Sequence, residues 1–112
     1  MSAQRLRDAA KVLRERAKDA TPGPWIAEYS KKSGHCVIDA ESRNALDSVA
    51  RATHFRDVGD ATYIALMHPG VALALAQVLE SLAFDREVND EIDGRTWSEL
   101  LTVADQILGT QS

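Results

Sequence analysis

Three groups of residues in this chain have types and spacings that could do chemistry. The densest is His54-x-x-Asp57-x-x-Asp60, in which an imidazole and two carboxylates could bind a divalent metal or relay a proton. The same carboxylates placed before an apolar run would cap the free N–H groups of a starting helix, and their spacing matches no established metal or catalytic motif. A capped turn is therefore expected, with a metal-dependent hydrolase on His54, Asp57 and Asp60 as the surviving enzyme reading. The second group is His35-Cys36; neighbours on a strand point to opposite faces, and a zinc site needs about four ligands. The chain has one cysteine and three histidines. The third is His68, just before Pro69, where its ring or backbone can cap the helix that Pro69 opens. The six glycines are scattered as turn residues rather than gathered in a phosphate-binding loop. No serine sits in a nucleophile elbow. The expectation is a protein without catalytic residues, bound cofactor or metal.

A fourth feature is electrostatic. Between Ala3 and Ala20, the residues Leu6, Ala9, Ala10, Leu13, Ala17 and Ala20 recur at the spacing of one helical face. The other face carries Arg5, Arg7, Lys11, Arg14, Arg16 and Lys18 against Asp8, Glu15 and Asp19. Arg7 and Arg14 are thus candidates for holding a partner or an anionic ligand. The acidic stretch from Asp85 to Asp105 offers an intramolecular alternative. The whole chain of 112 residues is acidic, with net charge −4 and pI near 5.3, which disfavours nonspecific nucleic-acid binding.

The elements that must position these groups follow from punctuation and periodicity. Thr21-Pro22-Gly23-Pro24 ends the first helix and leads into Trp25, which is expected to pack the strand entrance against that helix. Trp25–Ser30 and His35–Ala40 read as strands joined by Lys31-Lys32-Ser33-Gly34, with Glu41-Ser42-Arg43-Asn44 as a second turn. Ala45–Ala52 fits either a third strand or a short helix. A short helix follows Asp60, with Tyr63 and Ile64 expected to seat it on the sheet. A longer helix should run from Pro69 to about Asp85, with Val71, Leu75, Val78 and Leu82 as its core stripe. Thr96-Trp97-Ser98-Glu99 matches a capping box, predicting a last helix over Trp97–Leu108. Strands and helices segregated in this way imply α+β: an N-terminal helix, a two- or three-stranded antiparallel meander, and two to three C-terminal helices in one domain.

With 45% hydrophobic residues the chain can build a core, yet its longest apolar run, Val71–Ala76, is far below the ~18 residues needed to span a bilayer. A single cysteine forms no internal disulfide, and the N-terminal stretch lacks a secretory pattern, so a cytoplasmic protein is expected.

Two segments also resemble known proteins. Ala20-Thr21-Pro22-Gly23-Pro24-Trp25 joined to the later Asp60-Ala61-Thr62-Tyr63-Ile64-Ala65 and a His-Pro-led helix is similar to the Ead-like family of small early or accessory proteins of tailed phages and prophages. The resemblance spans residues 3–83 and leaves the helix after Gly94 unmatched. It implies an accessory protein made in a bacterial host and carries over no catalytic residue.

Together these readings favour a factor that binds a host or phage protein. A sequestering protein for a small anionic ligand such as a nucleotide signal is the alternative, using Arg7 and Arg14 with the helix starts at Asp60 and Pro69. Self-association is expected as well. Leu73 and Phe84 lie opposite the presumed core stripe, so a helix apolar all round needs more cover than one small domain supplies, and a dimer would provide it.

Overall fold

The computed structural model describes residues 2–30, 34–40, 48–51, 57–89 and 91–109. In chain order these form α1 (Ser2–Asp19), β1 (Trp25–Ser30), β2 (Gly34–Asp39), β3 (Ser48–Arg51), α2 (Asp57–Leu66), α3 (Pro69–Val88) and α4 (Gly94–Gly109). The class is α+β, as expected. The chain divides into two compact units, one of Met1–Arg16 with Ala72–Ser112 and the other of Ala17–Val71.

The first unit is helical. Its core joins Ala3, Leu6, Ala9 and Ala10 of α1, Ala76, Leu79 and Ala83 of α3, and Trp97 and Ala104 of α4. Arg7 pairs with Glu87 and Arg14 with Glu80, so α1 and α3 run antiparallel. Alanines on both facing stripes leave little side chain between the backbones. That explains a correction: the buried stripe of α3 is Ala76, Leu79 and Ala83, while Val78, expected inside, is 49% exposed. Leu75 and Leu82 only flank the core. α4 lays down Trp97, Leu100, Leu101, Ala104, Ile107 and Leu108 on the core, the face its periodicity predicts.

The start of α4 also differs from expectation. Asp93, rather than Thr96, caps it: its carboxylate accepts from the Thr96 backbone N–H at 2.8 Å and from the Thr96 hydroxyl at 3.0 Å, and its carbonyl accepts from Trp97 N. A carboxylate is a stronger acceptor for helix-end N–H groups than a hydroxyl, so the helix begins at Gly94. The same bonds from Thr96 hold the Asp93 carboxyl below the usual range. Arg86 lies 4.7 Å above the Trp97 ring and donates to the Ile92 carbonyl, tying the end of α3 to the turn before α4.

The second unit is a three-stranded antiparallel sheet of order β1-β2-β3 with α2 packed on it. Trp25 pairs with Asp39 and Ser30 with Gly34, so Gly34 belongs to β2 rather than to the connection. Between β2 and β3 the register shifts at Val37/Ile38. Residues 48–51 are strand, resolving the helix-or-strand ambiguity there, whereas the turn over 41–44 lies outside the described residues. Cys36, Val37 and Ile38 are consecutive and fully buried, which means the central strand is covered on both faces. Val37, Ala61 and Ala65 form the cluster between sheet and α2, with Trp25, Ala27, Val49, Ala50 and Ile64 around it. Ile64 thus seats α2, but Tyr63, expected to help, is 66% exposed. Two alanines one turn apart admit the sheet only along their own stripe, and Tyr63 falls outside it. α2 begins at Asp57, one turn earlier than the Asp60 start expected.

Candidate functional site

The basic face of α1 is engaged within its own unit. Arg14 forms a two-pronged bond to Glu80, with Nη2 to Oε1 at 2.6 Å and Nε to Oε2 at 3.0 Å. Arg7 donates to Glu87 and Arg5 to Asp105. Hydrogen bonding to the arginines holds the Glu80 and Glu87 carboxyls below their ordinary value and raises both Arg7 and Arg14 guanidinium groups. Of the acidic stretch named as an alternative, Glu87 and Asp105 do face the arginines, while Glu80 lies before it. The matched spacing was visible: Arg7 and Arg14 are one heptad apart, as are Glu80 and Glu87, and two such pairs align on antiparallel helices.

The acidic cluster is only partly within view. His54 lies outside the described residues, and Asp57 opens α2 without a described side chain. Asp60 is half-buried on α2 and holds an interaction of its own. Among the described residues, no group of three His, Cys, Asp or Glu side chains could hold a metal ion.

His68 joins the two segments quoted above. Its Nδ1 accepts from Gly70 N at 3.0 Å and its carbonyl from Val71 N at 3.0 Å, so it caps α3 with side chain and backbone together. With Nδ1 an acceptor, the neutral ring carries its proton on Nε2. A Cβ on Gly23 would collide with the ring, at 3.0 Å from Cγ, and one on Gly70 would stand 2.6 Å from Cε1. A side chain at either position would have to displace the ring between them. The Gly23–Pro24 bond is cis. Trp25 Nε1 donates to the Thr21 carbonyl at 3.0 Å, and the ring joins the cluster of sheet and α2. An open depression of about 420 Å³ lies here between Trp25, Ala27, Ala65, Leu66 and His68. His68 is thus a cap and a spacer; no carboxylate or thiol lines that depression, and the hydroxyl among its lining residues is that of Thr62.

The surface that stands out is the outer face of α3. Leu73 is 44% exposed, Val78 49%, Phe84 58% and Val88 60%. Leu73 and Phe84 were singled out from the sequence; Val78 was assigned to the core stripe because a helix apolar all round does not indicate which side faces inward, and Val88 lay beyond the expected end of the helix near Asp85, whereas the helix runs to Val88. Ala74, Gln77, Val78, Ser81 and Leu82 line an open depression of about 480 Å³ beside Phe84. No helix among the described residues is by itself long and apolar enough to cross a membrane.

A family model described as Ead/Ea22-like protein matches residues 7–110, reaching beyond the 3–83 of the motif resemblance to include α4. No curated protein and no solved structure matches the chain.

Proposed function

Because this chain belongs to the Ead/Ea22-like protein family, we propose that it is a non-catalytic phage or prophage accessory protein that acts in the bacterial cytoplasm by docking on other protein chains, its own copy among them. The observation that carries the reading is the outer face of α3, where Leu73, Val78, Phe84 and Val88 stand in solvent along one helix. Exposed apolar side chains gathered on one element mark association surfaces, and self-association most often uses two-fold symmetry.

The sequestering alternative draws no comparable support. Arg7 and Arg14, its proposed anion ligands, already have carboxylate partners. A nucleotide would have to displace Glu87 and Glu80 before it gained anything from them. The hydrolase reading depends on His54, which lies outside the described residues.

Light scattering over a concentration series is the first test, with a mass that rises towards twice the monomer as the expected result. A monomer at every concentration would overturn self-association. Thermal stabilisation by nucleotides that is lost in Arg7→Gln and Arg14→Gln would favour the sequestering alternative instead.

A further inference from the structure

We propose that the free edge of β1, with the flank of α2 beside it, takes up an extended segment of a partner protein as a fourth strand, whose alternate apolar side chains enter the depression between the two elements. This surface lies within the sheet unit and shares no residue with the outer face of α3, so the two docking readings fail separately.

The main chain of β1 says what kind of partner fits. The sheet order β1-β2-β3 makes β1 an edge strand. Ala40 N donates to the Pro24 carbonyl at 3.0 Å, and antiparallel pairs alternate between bonded and non-bonded. With that pair bonded, Ile26 bonds Ile38 and Glu28 bonds Cys36, whereas Trp25 opposite Asp39 and Ala27 opposite Val37 are non-bonded pairs. The N–H and C=O groups of Trp25 and Ala27 therefore point away from β2, and nothing among the described residues bonds them. Outward groups of this kind are a template for another strand.

Side chains decide what that strand carries. Trp25 and Ala27 share the sheet face of Val37, packed towards Ala61 and Ala65 of α2. At about 100° per residue, Thr62 and Leu66 stand ~80–120° round from that alanine stripe, on the flank of the helix. Both line the depression of about 420 Å³ together with Trp25 and Ala27. A strand paired to β1 sends every second side chain to this face, so residues two apart enter the depression. No carboxylate, lysine or arginine lines it, which suits uncharged apolar side chains. Main-chain bonds then give affinity and the depression gives specificity. A second copy is the poorer occupant. Its own β1 would bring Trp25 and Ala27 to the same face, and both are already packed on its own α2, leaving the depression unfilled.

The test begins with the free protein, where hydrogen exchange should be fast at the Trp25 and Ala27 amides and slow at Ile26 and Glu28. Protection at all four would mean that the edge is already covered and would overturn the proposal. Capped peptides Lys-Thr-X-Thr-X-Thr-Lys, with X leucine, valine or phenylalanine, are then titrated into isotope-labelled chain and followed by NMR. At least one should shift the Trp25 and Ala27 amides, while the version with X serine, of equal charge, should not. No shift with any of them at millimolar peptide, or equal shifts with serine, would overturn the proposal. N-methylation of one alternate set of peptide amides should abolish binding and of the other set should be tolerated, since only one set faces β1. Equal tolerance of both would mean contact through side chains alone and no fourth strand. Leu66→Ser, at a position 63% exposed and so still folded, should weaken binding about tenfold. Unchanged affinity would place the peptide elsewhere and overturn the site. Shifts of the same amides with protein concentration alone would make a second copy the occupant and overturn the foreign segment.

Discussion

The helical unit and the sheet unit are held together by different chemistry. In the first, α1 and α3 meet through alanine stripes, and charge pairs at their rim match arginines to glutamates one heptad apart. In the second, the contact of the turn with the start of α3 depends on one imidazole lodged between Gly23 and Gly70, and the sheet joins α2 through small residues. The helical face buries whole side chains and loses most when one of them is truncated. The ring between two glycines is instead sensitive to an added methyl group. The difference teaches where each unit should fail first, and why the quoted Pro-Gly-Pro-Trp segment reads as scaffold.

The largest effect expected is in the helical core. Leu79 is fully buried, and Leu79→Ala should cost about 2–5 kcal/mol in urea unfolding. A loss within error of zero would show that α3 is not clamped by α1 and α4. Next is Gly23→Ala, whose Cβ meets the His68 ring; overpacking of this kind costs about 1–3 kcal/mol. The same change in a His68→Ala background should cost clearly less, and equal costs in the two backgrounds would remove the ring from the account.

The smallest effect belongs to the rim. Arg14→Gln should lower the melting temperature only slightly, because both partners are half in solvent and such pairs contribute little. Its sign with pH is nevertheless defined. Glu80 and Glu87, held low by their arginines, and Asp93, held low by Thr96, favour the folded state while ionised. Their contribution is present above the ordinary carboxylate pKa and is lost as pH falls through the depressed folded values. Acid titration of Arg14→Gln should therefore show a shallower loss of stability than the wild type; parallel curves would dismiss the Glu80 pair.

Legibility in the sequence follows the same division. α1 and α4 each have one apolar face, so periodicity alone orients them, and the strand pair β1-β2 is marked by its turns. α3 resisted because its first turns are apolar on every side; only the alanines of α1 decide that Leu79 goes in and Val78 stays out. Boundaries shifted where a carboxylate outcompeted a weaker cap, as Asp93 did Thr96. Of the candidate residues, His68 was readable as a cap from the proline after it. The clamp of Gly23 and Gly70 on its ring was not, since it joins positions 45 residues apart for Gly23 and two for Gly70 through a turn whose path no local rule specifies. The arginine face was readable as basic and the acidic stretch from Asp85 to Asp105 as its intramolecular partner, but which carboxylate meets which arginine, Glu80 with Arg14 above all, follows only from the antiparallel placement of α1 and α3.

Sedimentation velocity of the wild type beside Phe84→Asp, over concentrations spanning the micromolar range, tests most directly whether the outer face of α3 is a docking surface. The sedimentation coefficient of the wild type should rise with concentration, while Phe84→Asp, exposed and therefore still folded by circular dichroism, should remain monomeric throughout. Identical behaviour of the two proteins would contradict the account.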